Sequence, residues 1–137
     1  WEGDSELFTA WVALSDVTAD AGPMVFVEGS HKWGKGGGSD FFGQDLDTLK
    51  ANILAEQGHE WNEVSAILPP GGVSLHDDLT YHGSGANRSS GPRRSFAIHL
   101  RTEKSRPKGG QREGLARFID NLEYNPVIYG ERGDFWA

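Results

Sequence analysis

Apolar residues in this chain come in short runs cut by Gly, Pro, Asp and Ser, and the first run is the strongest. In Leu7 to Leu14 (LFTAWVAL), Phe8, Ala10, Val12 and Leu14 alternate with Leu7, Thr9, Trp11 and Ala13. Both faces of an extended chain are then largely apolar, which predicts a strand buried on both sides. Ser15 to Pro23 (SDVTADAGP) has turn composition, and Met24 to Val27 (MVFV) predicts a second strand that runs into Glu28-Gly29-Ser30-His31. Lys32 to Phe42 is a glycine-rich loop without the GxxxxGK[ST] order of a phosphate cradle. Asp45 to Gln57 places Leu46, Leu49, Ile53 and Leu54 at helical spacing, with Asp45 or Asp47 as a cap, and predicts a helix outside a sheet.

Val64 to Leu68 is strand-like, Pro69-Pro70-Gly71-Gly72 is a turn, and Val73 to Leu75 resumes the strand pattern. Arg94 to Thr102 alternates, with Phe96, Ile98 and Leu100 on one face and Ala97, His99 and Arg101 on the other. Lys104 to Gly110 is polar, Arg112 to Leu122 has the spacing of a short helix, and the end packs a few aromatics. No repeat or linker divides the chain. One domain over residues 1–137 is expected, mostly β, a sandwich or barrel with one or two flanking helices rather than a βαβ array.

Composition narrows the chemistry. There is no cysteine among the 137 residues, so disulfides, thiolate metal sites and cysteine nucleophiles are excluded, and any metal must take His, Asp or Glu. No apolar run approaches bilayer length and no leader-like segment opens the chain, so a cytoplasmic location and no membrane partner are expected. Charge is uneven. Residues 1–87 carry three Lys or Arg against fourteen Asp or Glu, whereas Arg88 to Arg117 carries nine against two. That basic segment is either a solvated face or a partner for an acidic small molecule. Nucleic acid is argued against by the overall charge of −7.

The chemical residues concentrate in Gly71 to Ala97. His76-Asp77-Asp78 reads literally as HxD, two ligands of a two-His-one-carboxylate iron site, and His82 would be the third. An extended chain from Asp78 to His82 would span about 13 Å, which puts an all-local triad out of reach unless the chain turns sharply at Leu79 to Tyr81. No serine sits in a GxSxG elbow. Asn87-Arg88-Ser89 has the form of a glycosylation sequon, discounted for want of a secretory signal. Arg93, at the edge of a strand, needs an anionic partner, and its planar fork suits a carboxylate, with Ser84 able to add a hydroxyl.

Three blocks then carry a resemblance. They are Thr9-Ala10-Trp11-Val12-Ala13-Leu14 with Asp16; Gly22-Pro23-Met24-Val25-Phe26-Val27-Glu28-Gly29-Ser30-His31-Lys32; and His82-Gly83-Ser84-Gly85-Ala86-Asn87-Arg88 leading to Arg93. In their order and spacing, over roughly Leu7 to Thr102, the chain resembles the phytanoyl-CoA dioxygenase family of Fe(II)/2-oxoglutarate-dependent oxygenases. The resemblance implies a double-stranded β-helix core of jelly-roll type. It implies that His82 is the distal iron ligand, that Arg93 and Ser84 hold the far carboxylate of 2-oxoglutarate, that Trp11 lines the cosubstrate pocket, and that Asn87 shapes the loop. Gly29-Ser30-His31 fixes a turn, and His76 and Asp78 fall outside the family's HxD position. The family's HxD belongs before Thr9, where this chain has no histidine.

The chain is therefore expected to be the part of the domain that follows HxD, the alternative being a descendant that has lost iron chemistry. The implied activity is hydroxylation of a small organic substrate using O₂, Fe(II) and 2-oxoglutarate, absent from this fragment alone. A second reading is a non-catalytic β-barrel module that binds a small acidic ligand through Arg93.

Overall fold

The computed structural model describes residues 1–2, 4–34, 46–108, 117–119 and 121–130. They form two units by their internal contacts, Leu7–Leu100 on one side and Trp1–Glu6 with Arg101–Ala137 on the other.

The larger unit is built from β1 (Leu7–Ala13), β2 (Met24–Val27), α1 (Leu46–Gln57), β3 (Glu63–Ser65), β4 (Val73–Asp77), β5 (His82–Ser84) and β6 (Ser95–Arg101). They make two three-stranded sheets, ordered β4-β1-β6 and β3-β2-β5. From β3 onward the chain changes sheet at every step, so neighbours in a sheet are distant in sequence. This exchange is the jelly-roll pattern expected above, although the two sheets do not close into a barrel. β1 pairs antiparallel with β4 in a register that sets Thr9 opposite His76 and Trp11 opposite Ser74. β2 pairs antiparallel with β3 and β5, setting Phe26 opposite both Val64 and His82.

The alternation of β1 has a physical outcome on each face. Trp11 and Ala13 pack with Val17 into the buried core, against Met24 and Leu68. Val17 lies in the stretch read as a turn, and it is buried because its backbone bridges Leu68 in both directions, at 2.9 and 3.2 Å. On the opposite face Ala10 is buried and Phe8 and Val12 are part-buried, while Val73 and Leu75 on β4 and Phe96 on β6 are half or more exposed and Leu14 lies beyond the strand end. α1 buries Ile53, as its spacing anticipates. Its Lys50 pairs with Glu63 at 2.9 Å and lies over the Trp61 ring. Trp33, Trp61 and Tyr81 come together with ring centroids 5.8 to 6.2 Å apart, tying the segment before β3 to the start of β5.

The smaller unit is held by Glu6, whose carboxylate accepts from Thr102 Oγ1 and pairs with Lys104 at 2.6 Å. Its carbonyl accepts from the fully buried Ser105 hydroxyl. Of the helix expected over 112–122, residues 117–119 form a single turn with Ile119 buried, and residues 112–116 lie outside the described ones, as do Asp45 and most of the glycine-rich loop. Among the described residues no helix is long and apolar enough to cross a membrane.

Candidate functional site

The larger unit brings Trp11, Ser84 and Arg93 into contact, with His82 on the strand that carries Ser84. β5 is only three residues long, and alternation puts His82 and Ser84 on the same face of it. Arg93, just before β6, reaches Ser84 Oγ at 3.3 Å and also donates to the Gly22 carbonyl. Its guanidinium carbon lies 5.7 Å from the centre of the Trp11 ring. Arg93, Ser84 and Trp11 thus form one group, and Gly22 joins them through its carbonyl, a role the sequence did not reveal.

Arg93 is also what distinguishes the basic segment. Arg88 and Arg94 are exposed, Lys104 is spent on Glu6, and Arg101 donates to the Ile119 carbonyl. Arg93 is half-buried against Ser84 and Trp11, and among the described residues its hydrogen bonds go to neutral oxygens. A guanidinium with five donors so placed keeps donors to offer to an anion.

His82 has a defined proton arrangement. Its Nδ1 lies 2.7 Å from the Thr80 carbonyl oxygen, which can only accept, so Nδ1 carries a hydrogen and, in the neutral ring, Nε2 keeps its lone pair. That is the state a metal-binding imidazole needs, with the far nitrogen oriented by a backbone carbonyl.

The sequence set Asp78 and His82 about 13 Å apart on an extended chain, short of a sharp turn at Leu79 to Tyr81. The chain turns after β4, where Thr80 N–H donates to the Asp77 carbonyl and Leu79 N–H to the Asp77 carboxylate. The His76 and His82 rings therefore meet, centroids 4.6 Å apart. No all-local triad results, since among the described residues no group of three His, Asp or Glu could hold a metal ion. His99 is on the other edge of the same sheet, with Nδ1 3.0 Å from Thr9 Oγ1.

His76 is 9% exposed, and its Nδ1 is buried without a hydrogen-bond partner, as is the Ser74 hydroxyl two residues earlier on the same strand face. Burial, reinforced by the neighbouring His82 and His99, pushes the His76 pKa down to about 4. Buried polar atoms without partners are rare in a finished core. They mark this inter-sheet face as built for more than packing.

Two further residues support the site. Ser30, fully buried, donates to the Val27 carbonyl at 2.8 Å and accepts from the Tyr81 N–H at 2.9 Å. It therefore fixes the backbone one residue before His82. Ser30→Ala leaves both backbone groups buried and unpaired, and should cost about 1–3 kcal/mol. The check is urea denaturation, in which the midpoint should fall with the slope unchanged. Asn87 closes its loop as expected: its amide donates to the Gly91 carbonyl, and its oxygen accepts from both N–H and Oγ of Ser89.

Comparison with known proteins matches these residues to one family. The family model described as phytanoyl-CoA dioxygenase (PhyH) matches residues 2–95. A probable phytanoyl-CoA dioxygenase of Caenorhabditis elegans is 31% identical over 101 residues, covering 66% of this chain and 29% of that protein. The dioxygenase cdmD of Talaromyces verruculosus is 29% identical over 89 residues, covering 65% of this chain and 24% of its own length. The chain thus spans about a quarter to a third of the curated relatives it matches.

Among solved structures, the non-heme alpha ketoglutarate dependent carbocyclase SnoK is 26% identical with a TM-score of 0.55, over 71% of this chain and 36% of that one. The epimerase SnoN, in complex with Fe3+, alpha ketoglutarate and nogalamycin RO, is 27% identical with a TM-score of 0.57, over 95% and 49%.

Proposed function

This chain belongs to the phytanoyl-CoA dioxygenase family, and from that premise we propose that it supplies the distal histidine and the cosubstrate anchor of an Fe(II)/2-oxoglutarate-dependent dioxygenase that hydroxylates a small organic molecule. One observation carries the reading. A half-buried arginine is held by the Gly22 carbonyl and by Ser84 and flanked by Trp11, and Ser84 lies two residues along β5 from His82, whose Nδ1 is tied to the Thr80 carbonyl.

The fit to the absent groups follows from these donors. His82 Nε2 would hold iron. The Arg93 fork and the Ser84 hydroxyl would take the far carboxylate of 2-oxoglutarate, with Trp11 covering its apolar stem. What the metal would supply is the activation of O₂ that couples decarboxylation of the cosubstrate to hydroxylation. The chain's own task is binding and orientation. Thr80 fixes the His82 proton, Ser30 fixes the backbone entering β5, and Gly22 holds the guanidinium from behind.

The test is calorimetry of 2-oxoglutarate with this chain, with and without anaerobic Fe(II). Binding should tighten with the metal. Arg93→Lys, which keeps the charge but loses the fork, should weaken it at least about tenfold. Affinity indifferent to Arg93 would overturn the anchor. Binding that depends on Arg93 but ignores metal would favour the second reading, a β module for an acidic ligand, which draws on the presence of a single iron-ligand candidate. Turnover of 2-oxoglutarate is not expected from this chain alone, and its detection would restore His76 and Asp78 as candidate ligands.

A further inference from the structure

His76 has no role in the scheme above, yet it is the most buried histidine among the described residues. It projects from β4, in register with Thr9, toward the second sheet. There its ring centroid lies 4.8 Å from Phe26 and 4.6 Å from His82, while Phe26 and His82, paired across β2 and β5, are 6.0 Å apart. The three rings form one contact group. The His82 ring is bounded by an aromatic ring from its own sheet and an imidazole from the facing one. The cost of this arrangement is visible, because His76 Nδ1 is buried and unpaired. A side chain kept at such a cost calls for an effect on its neighbour.

His82 needs that effect. Its side chain is exposed, and its ring is tied by one hydrogen bond, to the carbonyl of Thr80 two residues back. An exposed imidazole on a three-residue strand loses rotamer freedom only if its faces are packed. We propose that His76 is a positioning residue for His82: together with Phe26 it holds the His82 ring in the orientation in which Nδ1–H donates to Thr80 and Nε2 is presented. The inference rests on His82 being the metal ligand and deepens that reading.

The test reads the tautomer of His82 directly, by nitrogen-15 NMR of the whole chain without metal at about pH 8, where ordinary imidazoles are neutral. The wild type should show His82 almost wholly as the Nδ1–H form. In His76→Ala that form should fall to a minority as the ring turns away from Thr80. In His76→Phe, which keeps a flat ring against His82 without the nitrogens, it should persist. Persistence of the Nδ1–H form in folded His76→Ala would overturn the inference. So would its loss in folded His76→Phe, since packing would then not be the means. Where the alanine variant fails to fold, the phenylalanine variant still decides. A separate titration of the wild type with Co(II) follows paramagnetic broadening at His82. Lack of broadening there would count against His82 as a ligand while leaving the tautomer result standing, so the two failures are distinct.

Discussion

Gly22→Ala should lower the stability of this chain by about 2–4 kcal/mol, while Gly29→Ala costs about 1 kcal/mol. Both glycines have positive φ, +67° and +74°, so an added methyl group meets similar backbone strain at each. They differ in what the methyl would touch. At Gly22 it would lie 2.5 Å from the Gly85 carbonyl oxygen and 3.1 Å from the Ala86 carbonyl carbon, whereas at Gly29 nothing lies within 4 Å. Backbone cannot rotate away as a side chain can, so relief at Gly22 has to move the loop after His82 off the loop before β2.

That contact is also held by the Arg88 N–H on the Asp20 carbonyl at 2.7 Å, and the Gly22 carbonyl itself accepts from Arg93. The stability loss should therefore come with weaker 2-oxoglutarate binding at Gly22 and not at Gly29. Denaturation midpoints of the two variants and calorimetry on each provide the measurement. Equal destabilisation by both substitutions would show that the close approach is not used.

Gly22 illustrates what could be read in advance. A Gly-Pro pair in SDVTADAGP announces a turn, but not that the turn lies under the loop that follows His82, because that contact joins residues more than sixty apart. The blocks around Trp11, His82, Ser84 and Arg93 were legible, since strand alternation and motif order survive in one dimension, and the structure brings Arg93, Ser84 and Trp11 together.

The approach of His76 to His82 was not legible for a local reason. Extended geometry was applied from Asp78 to His82 with a turn only as the exception, yet Asp77 caps a turn with its carboxylate, and an aspartate two residues before that N–H is a recognisable turn signal. Alternation in β6 told which residues share a face, with Phe96 and Ile98 together opposite His99. It could not tell whether that face is covered, and Phe96 remains 60% exposed. Val17 shows the converse. A single valine in a polar stretch becomes core because the backbone beside it pairs with Leu68.

Acidification from about pH 6.5 to pH 4 should remove about 3 kcal/mol of stability from the wild type beyond what His76→Phe loses. In the unfolded chain His76 binds its proton at the ordinary value of 6.5, and in the fold only at about 4. Between those values the unfolded state holds more protons, so stability falls as pH falls. Above the window the imidazole is neutral in both states and contributes no slope, and below it the full penalty has been incurred.

Desolvation of the ring is the main cause and sets the sign, and the groups around it add to it on balance. His82 from β5 and His99 from β6 oppose a second positive charge, while Asp77 on the same strand favours it only in part. The same carboxylates are present in both proteins, so the difference between the two denaturation series isolates His76. A phenylalanine of slightly larger volume shifts the whole curve without tilting it, so the slope is the quantity to read. Parallel curves through the window would mean that the buried imidazole accepts its proton as freely in the fold as outside it. The inter-sheet face would then be wet enough to hydrate a cation, and the unpaired Nδ1 would have water as its partner.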